Sequence, residues 1–140
     1  MKTNKSQFLT PPCIQKIQKP WGYEIIFTPP ESPVTGKILH LNKGCRFSYQ
    51  YHDKKKETLC LFKGRAKIIL DGQENEMEPL RGYYIKPFVK HRCQAITECD
   101  ILEASTREKG KTVRLEDDYG RGTETEEARK KRGEEEIYMG

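Results

Sequence analysis

The sequence predicts an all-β sandwich or barrel, on three observations. From Tyr23 the chain falls into about eight short runs rich in β-branched and aromatic residues, each closed by Gly, Pro, Asp or a charge cluster. No ten-residue helical stripe occurs before residue 105. At 140 residues the chain can bury one core and is too short for two domains of ordinary size.

Residues 1–18 carry Pro11-Pro12 among polar residues, with a slight apolar hint at Ile14 and Ile17, and read as an extended N-terminal arm. The runs that follow are Tyr23–Thr28, Gly36–Asn42, Arg46–His52, Glu57–Phe62, Arg65–Leu70, Gly82–Lys86, His91–Ile96 and Cys99–Ser105. Asp71-Gly72 ahead of a polar stretch marks a hairpin turn. Residues 19–121 are therefore expected to form the barrel. From 122 to 140 more than half of the residues are charged, so this segment reads as a solvated tail, disordered or a frayed helix over Glu124–Lys131.

Composition narrows the function classes. Hydrophobic and charged residues each make up 34%, and mean hydropathy is −0.88, so no bilayer span is expected. The N-terminus lacks the apolar segment of a signal peptide, and a cytoplasmic location is the expectation. Five cysteines without a Cys-x-x-Cys spacing argue against both a disulfide framework and a thiolate zinc site. The net charge of +5 is spread among acids with no aromatic-basic module, which points to anionic small molecules rather than nucleic acid.

The chemistry concentrates in two segments, Gly44–Gly64 and Gly82–His91. Strand alternation sends Arg46, Ser48, Gln50 and His52 to one face, and in a barrel enclosing a site that face lines the cavity. A short loop carrying Lys54, Lys55 and Lys56, which read as solvated surface lysines, returns the Glu57 carboxylate toward His52. His91 follows Pro87 in a later strand. Gln50, His52, Glu57 and His91 form a mixed nitrogen and oxygen set for one divalent metal, zinc first, with manganese, iron, nickel or cobalt also suited. Two of only three histidines fall in these segments, and His40 has no such partner.

Gly44–Gly64 resembles the first cupin motif, with Gln50 where the first His of the usual His-x-His pair sits, and Gly82–His91 resembles the second. Over residues 19–121 the chain is similar to the C-terminal cupin domain of type II phosphomannose isomerases, the bifunctional mannose-6-phosphate isomerase/mannose-1-phosphate guanylyltransferases. Lys19-Pro-Trp-Gly22, Lys37, Phe47-Ser-Tyr-Gln-Tyr-His52 and Val113-Arg-Leu-Glu-Asp-Asp-Tyr-Gly-Arg121 carry the resemblance. It implies a single-domain cupin barrel and an aldose-ketose isomerase acting on a sugar phosphate such as mannose 6-phosphate. The chain departs from the pattern at His52-Asp-Lys-Lys-Lys-Glu-Thr58, which lacks the family's extra histidines and arginine, and at Ala95, where the family has Asn. No Gly-rich phosphate loop occurs, so guanylyl transfer is not expected.

Isomerisation needs a Lewis acid, a base and a phosphate clamp. Lys37, Arg46, Ser48 and Lys90 are the candidate substrate-binding residues, and Lys86, Glu103 and Arg121 the candidate catalytic ones, with Asp53 a further possible base. Trp21-Gly22 reads as barrel packing. Residues 114–121 read as a charged loop that either clamps the wall or touches substrate. A non-catalytic sugar- or metabolite-binding cupin and an iron(II)-dependent dioxygenase are the rival functions. The expected partners are a small sugar phosphate and a second copy of the chain in a homodimer, reached through the arm and exposed edge strands. Neither nucleic acid nor membrane is expected.

Overall fold

The computed structural model describes residues 8–107 and 109–128. Eleven strands are present among them, and they form two antiparallel sheets around one core. In chain order they are β1 Gln15–Lys19, β2 Gly22–Ile26, β3 Val34–Leu41, β4 Tyr49–His52, β5 Glu57–Lys63, β6 Ala66–Leu70, β7 Gln73–Glu76, β8 Gly82–Ile85, β9 His91–Ala95, β10 Cys99–Thr106 and β11 Thr112–Glu116. The larger sheet has the order β1-β2-β3-β10-β5-β8 and the smaller β11-β4-β9-β6-β7. No helix among the described residues is long and apolar enough to cross a membrane.

Alternation sets the inner faces. Leu39 and Leu41 of β3, Ile101 of β10, Leu59 and Leu61 of β5 and Ile68 of β6 meet in one apolar cluster with Trp21 and Phe47. That cluster fills only part of the interior. On the same inward positions of the larger sheet, the other end carries Glu24, Lys37, Glu57, Glu103 and Ser105, all buried. Buried ionisable groups are tolerated only when paired or bound, so this polar end is where a ligand is to be sought.

Two turns are fixed by backbone geometry. Asp71 and Gly72 take φ of 46° and 84° between Leu70 and Gln73, which pair across the two-residue loop, so the expected hairpin is present. Phe88 takes φ of 68°, and its N–H donates to the His52 carbonyl at 2.8 Å, tying the turn before β9 to the end of β4.

Three strands lie where the sequence reads as arm, polar stretch or loop: β1, β7 and β11. β1 falls largely inside the expected 1–18 arm. It pairs with β2 of its own chain, and its one apolar residue, Ile17, packs on Ile26. At the other end Glu124 bridges Thr112. Glu126–Ala128 are helical, with Thr125 Oγ1 accepting from the Ala128 N–H at 3.1 Å, and the rest of the expected charged tail lies outside the described residues.

Candidate metal centre

His52 closes β4, Glu57 opens β5 and His91 opens β9, so three separate strand ends bring their side chains to the polar end of the interior. One ligand atom from each lies within 4.8 Å of the others, and all three residues are buried. His91 Nε2 is 2.8 Å and His52 Nε2 3.6 Å from Glu57 Oε1. Atoms bound to one zinc ion at about 2.0–2.2 Å stand roughly 3–4 Å apart, so the trio has the spacing of ligands around a single ion.

The opposite ring nitrogens are already engaged. His91 Nδ1 is 2.9 Å from the Val89 carbonyl, to which it donates, and His52 Nδ1 is 2.8 Å from Thr112 Oγ1. With Nδ1 protonated, each ring turns an Nε2 lone pair inward. Both Nε2 atoms are buried with no hydrogen-bond partner among the described residues, and orphaned acceptors facing a carboxylate are what a divalent cation would satisfy. The Glu57 carboxyl is fully buried, which opposes ionisation. The Lys55 ammonium beside it outweighs burial and holds it well below the usual carboxylate range. It is thus an anionic oxygen ligand at neutral pH. Burial, then Glu57, push the Cys93 thiol well above its ordinary value, so no thiolate joins the set.

Gln50 lies opposite His91 in register and lines the same cavity, and its Oε1 accepts from Ser48 Oγ at 2.6 Å. An amide oxygen with two lone pairs can accept that bond and still face an ion. Ser48 is completely buried and positions Gln50.

The cavity is lined by Gln50 and Glu57 together with Lys55, Glu103, Arg114 and Arg121, against a wall that includes Trp21 and Phe47. Its enclosed space is about 30 Å³, room for one or two waters or an ion. Lys55 is 2% exposed, and its Nζ sits 3.3 Å from Glu57 Oε2 and 3.0 Å from Glu103 Oε2. Glu103 also accepts from Ser105 Oγ at 2.9 Å and lies 3.9 Å from Lys37 Nζ, which is itself 3.7 Å from Glu24. Acid and base therefore alternate from Glu24 through Lys37, Glu103 and Lys55 to Glu57. Arg121 is held by Asp117 at 3.0 Å through both Nε and Nη2. Arg114 donates to the Gly122 carbonyl and to Glu124, and its Nε is buried without a partner among the described residues.

Of the sequence-predicted residues, the structure gathers Gln50, His52, Glu57, His91, Ser48, Lys37, Glu103 and Arg121 at this end of the interior. Four others lie elsewhere. Arg46 is half-buried and paired with Asp118 at 2.7 Å: it bridges Gln94, one residue out of the register in which Gln50 faces His91, so the alternation of Ser48, Gln50 and His52 does not carry back to it. Lys86 and Lys90 are exposed, each next to an inward residue, Ile85 and His91, and so turned outward. Asp53 accepts from the Lys111 N–H at 2.7 Å on the outside of the β4–β5 loop.

Three interior residues lie outside the predicted set. Glu24 shares the inward face of β2 with Gly22 and Ile26, a strict alternation that the sequence displays. Arg114 sits on β11, within the segment that reads as a charged loop. Lys55 was hidden by its neighbours, since three consecutive lysines read as solvated. Trp21 does pack, edge-on to Phe47 at 6.1 Å, but it also walls the cavity.

No family model matches this chain, and no curated protein matches it in sequence. Solved structures do. KdgF from Halomonas sp. superposes with a TM-score of 0.58 at 12% identity, over 63% of this chain and 80% of that one. A cupin-2 domain protein from Rhodospirillum rubrum gives 0.58 at 14%, over 64% and 62%. The fold is that of the cupins. Salicylate 1,2-dioxygenase from Pseudaminobacter salicylatoxidans also gives 0.58, at 15% identity, over 66% of this chain and 28% of that larger one. The chain therefore shares its architecture with proteins of differing chemistry, and its own residues must carry the functional argument.

Proposed function

We propose that this cupin is a metal-dependent aldose-ketose isomerase acting on a small sugar phosphate of the mannose 6-phosphate type. The observation that carries the reading is the adjacency of two devices: the His52–Glu57–His91 trio, whose Glu57 lines the cavity, and, 3.0 Å from the Lys55 ammonium that also touches Glu57, the Glu103 carboxylate on the same cavity.

The trio, with Gln50 alongside, would hold a divalent ion, which when bound supplies Lewis acidity toward a carbonyl or hydroxyl oxygen. Glu103 is the group placed to take a proton from one carbon of the sugar and return it to the next. Ser105 and Lys37 fix its carboxylate, and Lys55 keeps positive charge beside it when the proton is away. Lys86, exposed on the outer side of the sheet, is not placed for this step. Arg121 and Arg114 are the cavity's guanidinium groups, and the Nε–H of Arg114, without a partner among the described residues, is a donor available to a phosphate or hydroxyl oxygen. Trp21 and Phe47 form the apolar part of the cavity wall.

The test is a coupled assay of mannose 6-phosphate conversion on metal-loaded protein, with His52→Ala and Glu103→Gln beside the wild type. Conversion by the wild type, lost on His52→Ala and reduced by at least about a hundredfold on Glu103→Gln, is the expected result. Bound metal without turnover of any hexose or pentose phosphate would contradict it and leave a binding protein. Iron(II)-dependent oxygen uptake would replace it with oxygenase chemistry.

A further inference from the structure

The two histidines of the trio are secured by partners of different chemistry. The Val89 carbonyl can only accept, so His91 Nδ1 must carry the proton and Nε2 the lone pair. His52 Nδ1 instead faces the Thr112 hydroxyl at 2.8 Å, and a hydroxyl both accepts and donates. Thr112 therefore decides the tautomer of His52. When it accepts, Nε2 offers its lone pair to an ion. When it donates, the proton sits on Nε2, which faces Glu57 Oε1 at 3.6 Å, and the ring is lost as a ligand.

Thr112 is itself held from both sides. It is buried, stands opposite His52 in the pairing of β11 with β4, and on its other flank exchanges two backbone hydrogen bonds of 2.8 Å with Glu124. That exchange is the middle of three links at alternate positions. The Gly110 N–H donates to the Glu126 carboxylate at 2.5 Å, and Arg114 donates to the Gly122 carbonyl at 2.8 Å and to Glu124 Oε2 at 3.1 Å. Residues 122–126 thus run antiparallel along β11 as a further edge of the smaller sheet, with Glu124 forming the backbone bridge. The sequence reads this stretch as the start of a solvated tail, yet Glu124 is 3% exposed and its carboxylate is set against Arg114. A carboxylate is buried in this way only where its partner compensates it, so the segment is docked on β11.

Taking His52, Glu57 and His91 as ligands, whatever the substrate, we infer that Thr112 is a positioning residue of the metal centre and that the 122–126 segment, by fixing Thr112, sets how tightly the centre holds its ion. The path is short: Glu124 backbone to Thr112 backbone, Thr112 hydroxyl to His52 Nδ1, and His52 Nε2 to the ion. His91 has no such dependence, because its carbonyl partner lies two residues away in its own turn. Without the Thr112 hydroxyl, Nδ1 has nothing to donate to at that place. The proton is then better placed on Nε2, where Glu57 accepts it, and the ion meets an N–H instead of a lone pair. Coupling of this kind is reciprocal, so a bound ion tightens the docking of the segment by the same factor.

Isothermal titration of zinc into the chelator-treated full chain tests this, with nitrogen NMR spectra of the histidine rings of the metal-free protein at about pH 8, above the ordinary histidine range. Thr112→Val keeps the shape of the side chain and removes its hydroxyl. It is expected to bind zinc roughly 10–100-fold more weakly than the wild type, with the His52 ring proton moved from Nδ1 to Nε2. Thr112→Ser should restore both to near the wild-type state. Glu124→Pro removes the N–H that holds Thr112 and touches no ligand, and it should weaken zinc binding about fivefold or more. Thermal melts confirm folding, and Thr112→Ala and Glu126→Ala stand in for a variant that does not fold. Wild-type affinity in Thr112→Val, a serine variant as weak as the valine one, or wild-type affinity in Glu124→Pro would overturn the inference and leave the metal centre standing. A wild type that binds no ion would overturn both.

Discussion

Lys55→Met tests the interior electrostatics most sharply. The side chain is 2% exposed, and its ammonium is the shared partner of Glu57 at 3.3 Å and Glu103 at 3.0 Å. Methionine keeps most of the volume, so packing changes little and charge is what is lost. Without the ammonium, two buried carboxylates face each other across the cavity, and breaking a buried pair from one side costs about 3–5 kcal/mol. For a domain of this size that corresponds to a fall in Tm of roughly 10–20 °C for the metal-free protein. A divalent ion on Glu57 would replace part of the missing positive charge, so the variant should gain more from added zinc or manganese than the wild type does. Differential scanning fluorimetry with chelator and with metal measures both quantities. A metal-free Tm within about 3 °C of the wild type would refute the account of a compensated buried pair, as would an equal metal-induced gain in both proteins.

Other consequences concern the frame around the site. Asp117 is opposed in its ionisation by burial but held below its ordinary range by Arg121, so it titrates lower in the folded than in the unfolded chain. Its contribution is complete above the unfolded value and disappears as pH falls through the folded one; Asp117→Asn should therefore cost about 1–2 kcal/mol at pH 7, with the gap to wild type closing below about pH 4 in urea melts. At Gly22, φ is 152° and a Cβ would stand 1.9 Å from the His40 carbonyl oxygen, so Gly22→Ala should lose at least about 2–4 kcal/mol or fail to accumulate as folded protein. Burial pushes the Cys99 thiol up to about 11 and Cys93 higher than its ordinary value, whereas Cys13 is exposed. A disulfide reagent at pH 8 should modify Cys13 at once, spare Cys93 and Cys99 in folded protein, and reach all five in urea, counted by mass spectrometry.

How far the fold could be read from the chain depended on where each strand lies. The strands that the sequence displayed carry apolar residues on at least one face, as Glu57–Lys63 and Cys99–Thr106 do. Those it hid, Gln15–Lys19, Gln73–Glu76 and Thr112–Glu116, are all edges of the two sheets. An edge strand is bonded on one side only and can be nearly free of apolar residues, so periodicity leaves no trace of it; Gln73–Glu76 has no apolar residue at all. The metal trio was legible because histidine is rare in this chain and alternation assigns His52 a face. Lys55 was not, because its burial is decided by Glu57 and Glu103, and Glu103 lies 48 positions away in a different strand. Arg46 shows the converse: alternation does not survive the one-residue register slip between its bridge to Gln94 and the pairing of Gln50 with His91.

The central claim is that His52, Glu57 and His91 hold one divalent ion. Isothermal titration of chelator-treated protein with zinc and with manganese, followed by elemental analysis of the desalted complex, tests it without reference to any substrate. One ion per chain in the wild type, with affinity lowered at least about a hundredfold in folded His52→Ala and His91→Ala, is the expected result. No stoichiometric binding of any divalent ion, or binding unchanged in both variants, would contradict it.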